Sequence, residues 1–383
     1  MTITIGMLAG EASGDNLGAG LMGALQRRHE DLRFVGIGGT RMTGQGLDAL
    51  ASMERLAVNG FKDPILKLPQ LVGLLLDLRR YFIANPPAVF VGVDFNVFNL
   101  LLEGMLKRRG IPTVHYVSPS VYAWRRGRVK RINRSADTLL ALYPFEAEFY
   151  TDTDIDVKFV GHPMADAIAL DAGNEAARDA ARSQLSIAVD GPLVAILPGS
   201  RSSEVEHLLE RFLDAAALLA QRLDGVRFVV PCLRKPILET VLRSLALRPS
   251  LPVTTYEGDA RLALTACDAA IVKSGTSTLE AMLLRRPMVV SYRLGYWTAI
   301  VAKWLVRTEF IALPNILAGE RLVPELLQEA ATPEALAENL LEELDKSQRQ
   351  PEYLARFDAL HRELKKDANE RAADAVDAVL ADG

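Results

Sequence analysis

Apolar positions along the chain follow two alternating rhythms. Short runs rich in Val, Ile, Leu, Phe and Ala occupy residues 3–8, 34–37, 88–93, 113–117 and 138–141, and a second series occupies 193–197, 226–230, 269–272 and 288–292. Between them apolar residues recur at helical spacing, as with Leu17, Leu21 and Leu25. Runs without polar alternation suit parallel strands, which crossover helices cover on both faces. The pattern predicts a doubly wound α/β unit, and predicts it twice. A linker is expected between the two series, at Val160-Gly161-His162-Pro163 and the small polar stretch 171–183. The expected domains are 1–165, 166–345 and a charged helical tail, 346–383.

Composition narrows the function only a little. A chain of 383 residues suggests two domains, and a formal charge of -4 gives no reason to expect a nucleic-acid partner. Charge is nevertheless concentrated at Arg125, Arg126, Arg128, Lys130, Arg131 and Arg134, which form either a solvated helix face or a contact for phosphates or an anionic bilayer. Cys232 and Cys267 are the two cysteines; without metal-ligand spacing they fit a reducing compartment. The start, MTITIGMLAG, reads as a first strand rather than a signal peptide, and no segment reaches the ~18 apolar residues of a spanning helix. A cytoplasmic location is expected.

Candidate chemistry sits where strands run into helices. Ser274-Gly275-Thr276-Ser277-Thr278 follow the run 269–272, and helix-start amides there favour an anion. Glu280 is placed to accept from a ribose diol beside bound phosphates; the alternative is a plain N-cap cluster. Neither GxGxxG nor GxxxxGK[ST] occurs at this loop, which disfavours a dinucleotide or P-loop site there. A companion loop, Leu197-Pro198-Gly199-Ser200-Arg201-Ser202-Ser203-Glu204, offers Arg201 for a diphosphate or for a surface ion pair. Ser203 and Glu206 have capping-box spacing. In the first series, Glu11, in the loop Leu8 to Asp15 that also carries Ser13, either binds a sugar hydroxyl or caps the helix. Asp94, after the run 88–93, is either a general base or a helix cap. Asp152-Thr153-Asp154-Ile155-Asp156 contains a DxD pattern that would suit magnesium, but on the wrong side of a strand. Leu71, Leu74, Leu75, Leu78 and Phe82 make an apolar stripe that Val72, Leu76 and Ile83 widen, so the helix is either core or partly open to acyl chains or a bilayer. Trp297, Ile300, Val301, Trp304 and Leu305, beside Lys303 and Arg307, pose a similar choice between a membrane-surface helix and a subunit contact.

The runs AGEASGDNLGAGL, HYVSPSVYAWRRGRVKRI, FVGHPMADA, LPGSRSSEVE, SGTSTLEAML and ALPNILAG, in order from residue 9 to 319, resemble the lipid A disaccharide synthase family. The resemblance implies a glycosyltransferase-B fold: two Rossmann-like domains facing across a cleft, with the donor nucleotide mostly on the second. It implies transfer of diacylglucosamine from its UDP donor to the 6-hydroxyl of diacylglucosamine 1-phosphate with inversion, in lipopolysaccharide assembly. On that reading Asp94 is the base and Glu11 the other catalytic residue, helping to orient the sugars together with Ser13 and Asn96. Gly199, Ser200, Arg201, Glu204, Ser274, Gly275, Thr276, Ser277, Glu280 and Asn315 hold UDP, and no metal or other cofactor is needed. Leu71, Leu75, Leu78, Phe82, Arg125, Arg126, Arg128 and Lys130 would meet acyl chains or the anionic inner membrane. Lys273, before the donor loop, is unexpected and either adds a phosphate contact or snorkels outward. A homodimer is possible, with the C-terminal helices returning to the first domain or exchanged between subunits. Residues 95–98, Phe-Asn-Val-Phe, depart from the family pattern by lacking a second acidic group beside Asp94. The competing readings are another UDP-N-acetylglucosamine enzyme of this fold, such as the peptidoglycan lipid glucosaminyltransferase or a 2-epimerase, and a noncatalytic nucleotide-sugar-binding protein.

Overall fold

A computed structural model describes residues 2–56, 63–119, 127–293 and 308–382. The chain divides into two compact units: Met1–Asp166 with Leu364–Gly383, and Ala167–Glu363. Each contains one sheet whose strands pair in parallel.

In the first unit the strands are β1 (Ile3–Ala9), β2 (Leu32–Ile37), β3 (Leu47–Ala49), β4 (Val89–Val93), β5 (Thr113–Tyr116), β6 (Thr138–Ala141) and β7 (Asp156–Phe159). Their order is β3-β2-β1-β4-β5-β6-β7. The order reverses between β1 and β4, which pair in register from Ile5↔Val89 to Ala9↔Val93. This is the position at which an open parallel sheet leaves a crevice beyond its strand ends. Every residue of β4 is buried, and each fully buried Val or Phe contributes roughly 1.5–3 kcal/mol.

The second unit repeats the plan with β8 (Leu193–Leu197), β9 (Arg227–Cys232), β10 (Val253–Glu257), β11 (Ala269–Lys273), β12 (Met288–Tyr292) and β13 (Glu325–Leu327), in the order β10-β9-β8-β11-β12-β13. Here the reversal lies between β8 and β11, paired from Ala269↔Val194 to Val272↔Leu197. The helix Pro333–Arg349 adds Leu336, Ala337, Leu340 and Leu344 to this core. The tail therefore divides at 364, not 346, since the helices Pro333–Arg349 and Pro351–Leu364 fall largely within the second unit.

The last helix, Ala368–Asp382, returns to the first unit of its own chain. Ala372, Ala373, Ala375 and Val376 enter the core beside Leu21 and Leu25. Asp166 clasps its start, accepting from the backbone N–H of Lys366 (3.0 Å), Asp367 (2.9 Å) and Ala368 (2.6 Å). Arg28 fastens its outer face to Glu370, Asp374 and Asp377.

Candidate active site

The strand-end carboxylate of the first unit is held in a strained turn. Asp94 and Phe95 both lie in the left-handed region, at φ 51° and 47°, which costs a non-glycine residue on the order of 1–3 kcal/mol and persists only where the surroundings impose it. Two contacts impose it here. Asp94 N–H donates to the Tyr116 carbonyl (2.8 Å). Asn99 Nδ2 donates to the Asp94 carbonyl (2.7 Å) and reaches the carbonyls of Leu8 and Val93. The Phe95 ring lies over Gly10, where a Cβ would stand 2.3 Å from the ring. Phe95, not Asp94, is the N-cap of the helix Asn96–Lys107, so the capping role considered for Asp94 is not the one it takes. Its carboxylate instead accepts from Ser13 Oγ at Oδ2 (3.1 Å) and from Asn96 Nδ2 at Oδ1 (3.3 Å). Glu11, exposed at the N-cap of Ala12–Arg28, makes no capping hydrogen bond. Glu11, Ser13, Asp94 and Asn96 are thus gathered at the ends of β1 and β4.

Behind them lies a polar chain that the sequence reading missed. Asn96 Oδ1 is 3.0 Å from His115 Nε2, and His115 Nδ1 is 2.8 Å from Glu103 Oε1. The His115 and Glu103 side chains are wholly buried, and burial pushes the Glu103 carboxyl up while His115 opposes the shift. A Cβ on Gly92 would fall 2.0 Å from Glu103 Oε1, so the glycine makes room for the carboxyl under the sheet. A signal was present: Asn96, Asn99 and Glu103 are the polar positions on the inward face of an otherwise apolar helix, at i, i+3 and i+7.

The second unit forms a recess of about 380 Å³ at its own reversal point, lined by Gly199, Ser200, Arg201, Glu204, Lys273, Gly275, Thr276, Ser277 and Glu280 among others. Gly275, N-cap of Thr276–Leu283, sits at φ 158° and ψ -161°, a conformation essentially restricted to glycine. No side chain caps this helix start, and Gly275, Thr276 and Ser277 line the recess, the position at which helix-start amides favour an anion. Ser274 contributes less than expected, because its hydroxyl donates to the Ile311 carbonyl (2.9 Å).

On the companion loop the helix Ser202–Arg222 begins earlier than the spacing of Ser203 and Glu206 suggests. Its third residue, Glu204, reaches back, Oε2 accepting from the N–H of Ser200 (3.0 Å) and Arg201 (3.3 Å). Lys273 does not snorkel outward: its Nζ is 3.0 Å from Glu204 Oε1 and lies over the Tyr292 ring. Burial pushes the Glu204 carboxyl up, but Lys273 and the two amides outweigh it and hold the group below its ordinary value. Glu280 accepts from Arg261 Nε (2.8 Å). Cationic and acidic groups thus alternate around the recess.

Other expected contacts are placed elsewhere. Asn315 is fully buried and outside the recess lining. Its amide donates to Val323 and Glu325 and accepts from Val323 N–H, fastening the helix Leu313–Ala318. Leu75, Leu78 and Phe82 belong to the core, and Leu71 packs against it; over residues 68–84 of the helix Asp63–Ala84, the exposed large apolar residues are Leu68, Val72 and Leu76. The interior takes the side of the stripe that faces the sheet. In the helix Gly127–Ser135, Val129 and Ile132 are buried while Arg128, Lys130, Arg131 and Arg134 are exposed. Arg125, Arg126 and the apolar segment 297–307 lie outside the described residues. Asp156 pairs with Lys158 at the start of β7, and among the described residues no group of three or more His, Cys, Asp or Glu is gathered as a metal site. No described helix is long and apolar enough to cross a membrane. His162 is buried, and its Nδ1 accepts from Met164 N–H.

Comparison with known proteins agrees with an architecture of two parallel α/β sheets. A MurG from Acinetobacter baumannii shares the fold with a TM-score of 0.59 at 14% identity, over 99% of this chain and 100% of that one. A UDP-GlcNAc 2-epimerase from Neisseria meningitidis, solved with UDP-GlcNAc, does so with 0.60 at 12% identity over the whole of both. Sequence relatives are far nearer. The lipid-A-disaccharide synthase of Pseudomonas paraeruginosa is 48% identical over 374 residues, covering 98% of this chain and 97% of the relative. That of Pseudomonas putida KT2440 is 48% identical over 380 residues, 99% of each. Residues 5–379 match the lipid-A-disaccharide synthetase family as a whole, and with two glycosyltransferase-B sheets carrying its motifs at their strand ends, the chain belongs to that family of glycosyltransferases.

Proposed function

We propose that the protein transfers 2,3-diacylglucosamine from UDP to the 6-hydroxyl of 2,3-diacylglucosamine 1-phosphate, inverting the anomeric centre and releasing UDP. The observation that carries this reading is Asp94: a half-buried carboxylate at the β1/β4 reversal, with one donor on each oxygen and lone pairs left for an alcohol proton. Inversion in a single displacement needs a base opposite the leaving group, and Asp94 takes the acceptor proton as the C–O bond forms. Negative charge then grows on the departing diphosphate. Helix-start amides at Gly275 to Ser277 and the Arg201 guanidinium are supplied for it in the second unit, and Glu280 is within the same recess for the ribose. Glu11 and Ser13 orient the acceptor sugar.

A transfer assay with the defined acylated donor and acceptor, followed by identification of the disaccharide, tests the reading. Asp94→Asn should lose nearly all transfer while UDP binding persists; retention of transfer would remove Asp94 as the base. Peripheral attachment to the anionic cytoplasmic face of the inner membrane belongs to the same proposal. It is supported by exposed Leu68, Val72 and Leu76 and by the basic face of Arg128, Lys130, Arg131 and Arg134. Flotation with anionic vesicles should show salt-sensitive binding, and its absence removes the attachment.

A further inference from the structure

We propose that Glu103 and His115 form a buried positioning pair that holds the Asp94 carboxylate through Asn96. The inference rests on Asp94 being the base. An ionised carboxylate only accepts hydrogen bonds, so Asn96 must turn its NH2 towards Asp94 Oδ1; the reverse rotamer would set two oxygens against each other. Asn96 Oδ1 then faces His115 Nε2 at 3.0 Å, and that nitrogen must carry a proton.

At Nδ1 one further proton lies between imidazole and carboxyl, 2.8 Å apart. It sits either on Nδ1, giving an imidazolium–carboxylate pair, or on Glu103, giving a neutral pair. Both arrangements are neutral overall, which is what a wholly buried site tolerates. In both arrangements Nε2–H remains a donor. The pair therefore supplies a fixed N–H to the back of Asn96 whichever way the shared proton lies.

What this achieves is orientation. Ser13 is a rotating hydroxyl on one side of Asp94, whereas Asn96 is locked from behind, so the carboxylate plane is set by Asn96. The strained turn at residues 94 and 95 would otherwise leave the side chain free to relax towards a helix-capping position.

The experiment has two arms. In uniformly 15N-labelled full-length enzyme near neutral pH, His115 Nε2 should give a protonated-nitrogen shift; an unprotonated Nε2 overturns the proposal without reference to activity. In the second arm, Glu103→Leu/His115→Phe replaces the pair with apolar groups of similar volume, a change that buried pairs often tolerate in stability. Its kcat should fall about 10²-fold, the scale of a small misplacement of a reacting group. KM for both substrates should stay within about twofold, and Glu103→Gln, whose amide can donate to Nδ1 and keep Nε2–H in place, should retain most of the rate. Unchanged kcat in the double variant, or equal losses in Glu103→Gln, refutes the positioning role. If Asp94→Asn also leaves transfer intact, it is the assignment of the base that fails; loss in Asp94→Asn with a fully active double variant removes the positioning pair alone.

Discussion

Adding a single methyl group at Gly10 should disable the first-unit site without touching a polar atom. A Cβ there would stand 2.3, 2.5 and 2.7 Å from three atoms of the Phe95 ring, whereas ordinary contact needs 3.4 Å or more, so the ring must retreat by about 1 Å. Retreat is resisted on two sides. Phe95 is fixed at φ 47°, and its ring packs on Phe98 with centroids 5.9 Å apart. Overpacking of this kind costs about 1–3 kcal/mol, or a fall in Tm of roughly 2–12 °C for a unit of this size. Gly10 itself shows no positive φ, so the cost is steric and not conformational. Since Asp94 precedes the displaced residue, kcat should drop by about 10²-fold, while UDP affinity, which the proposed function assigns to the second unit, should not change. Thermal unfolding and steady-state transfer assays measure both. In a Phe95→Ala background the methyl group meets no ring, and the penalty should shrink to under about 0.5 kcal/mol, as a double-mutant cycle would reveal. An equal penalty in both backgrounds would refute the reasoning.

Two further outcomes follow from groups described by the structure. Burial pushes the Glu146 carboxyl up to about 8, against hydrogen bonds from Tyr143 and Leu142 N–H that lower it, from an ordinary value of 4.5. Between those two values the folded chain keeps a proton that the unfolded chain sheds, so stability falls as pH rises through that window by up to ~1.4 kcal/mol per pH unit. Glu146→Gln keeps the accepting oxygen and cannot titrate; its stability relative to the parent should rise from pH 5 to 8, and parallel denaturation profiles would contradict this. Gly275→Ala places a methyl on a backbone conformation costing about 1–3 kcal/mol. The helix start should shift to relieve it and UDP should bind at least about tenfold more weakly by calorimetry; unchanged affinity would show that those amides do not hold the diphosphate.

How much of this was visible in the sequence depended on burial. The inner strands announced themselves because both faces are covered, leaving unbroken apolar runs such as VFVGV and LVAIL. The strands that escaped, β3, β10 and β13, are edge strands with partly exposed, mixed residues, LDA, VTTYE and ELL, and show no such run. The strand-end position of Asp94 followed from the run before it, but its environment did not, because Glu103 and His115 come from a helix and a neighbouring strand that only the sheet order brings together. For Asn315 the sequence left out the opposite thing. A motif match locates a residue but says nothing of whether its amide is already spent on Val323 and Glu325. In the helix Asp63–Ala84 an apolar arc wider than one face left the choice of buried side to tertiary packing, which took Leu75, Leu78 and Phe82 and left out Val72 and Leu76.

The Asp166 clasp has a consequence for how the chain is made. The first unit lacks Ala372, Ala373 and Val376, the residues that close its own interior, until the chain has been made as far as its 368–382 helix. The unit translated first is therefore completed last, and a message truncated before codon 368 yields an amino-terminal sheet with an open apolar flank, prone to aggregation. A chain stopped short of that helix thus cannot close the interior of its first unit.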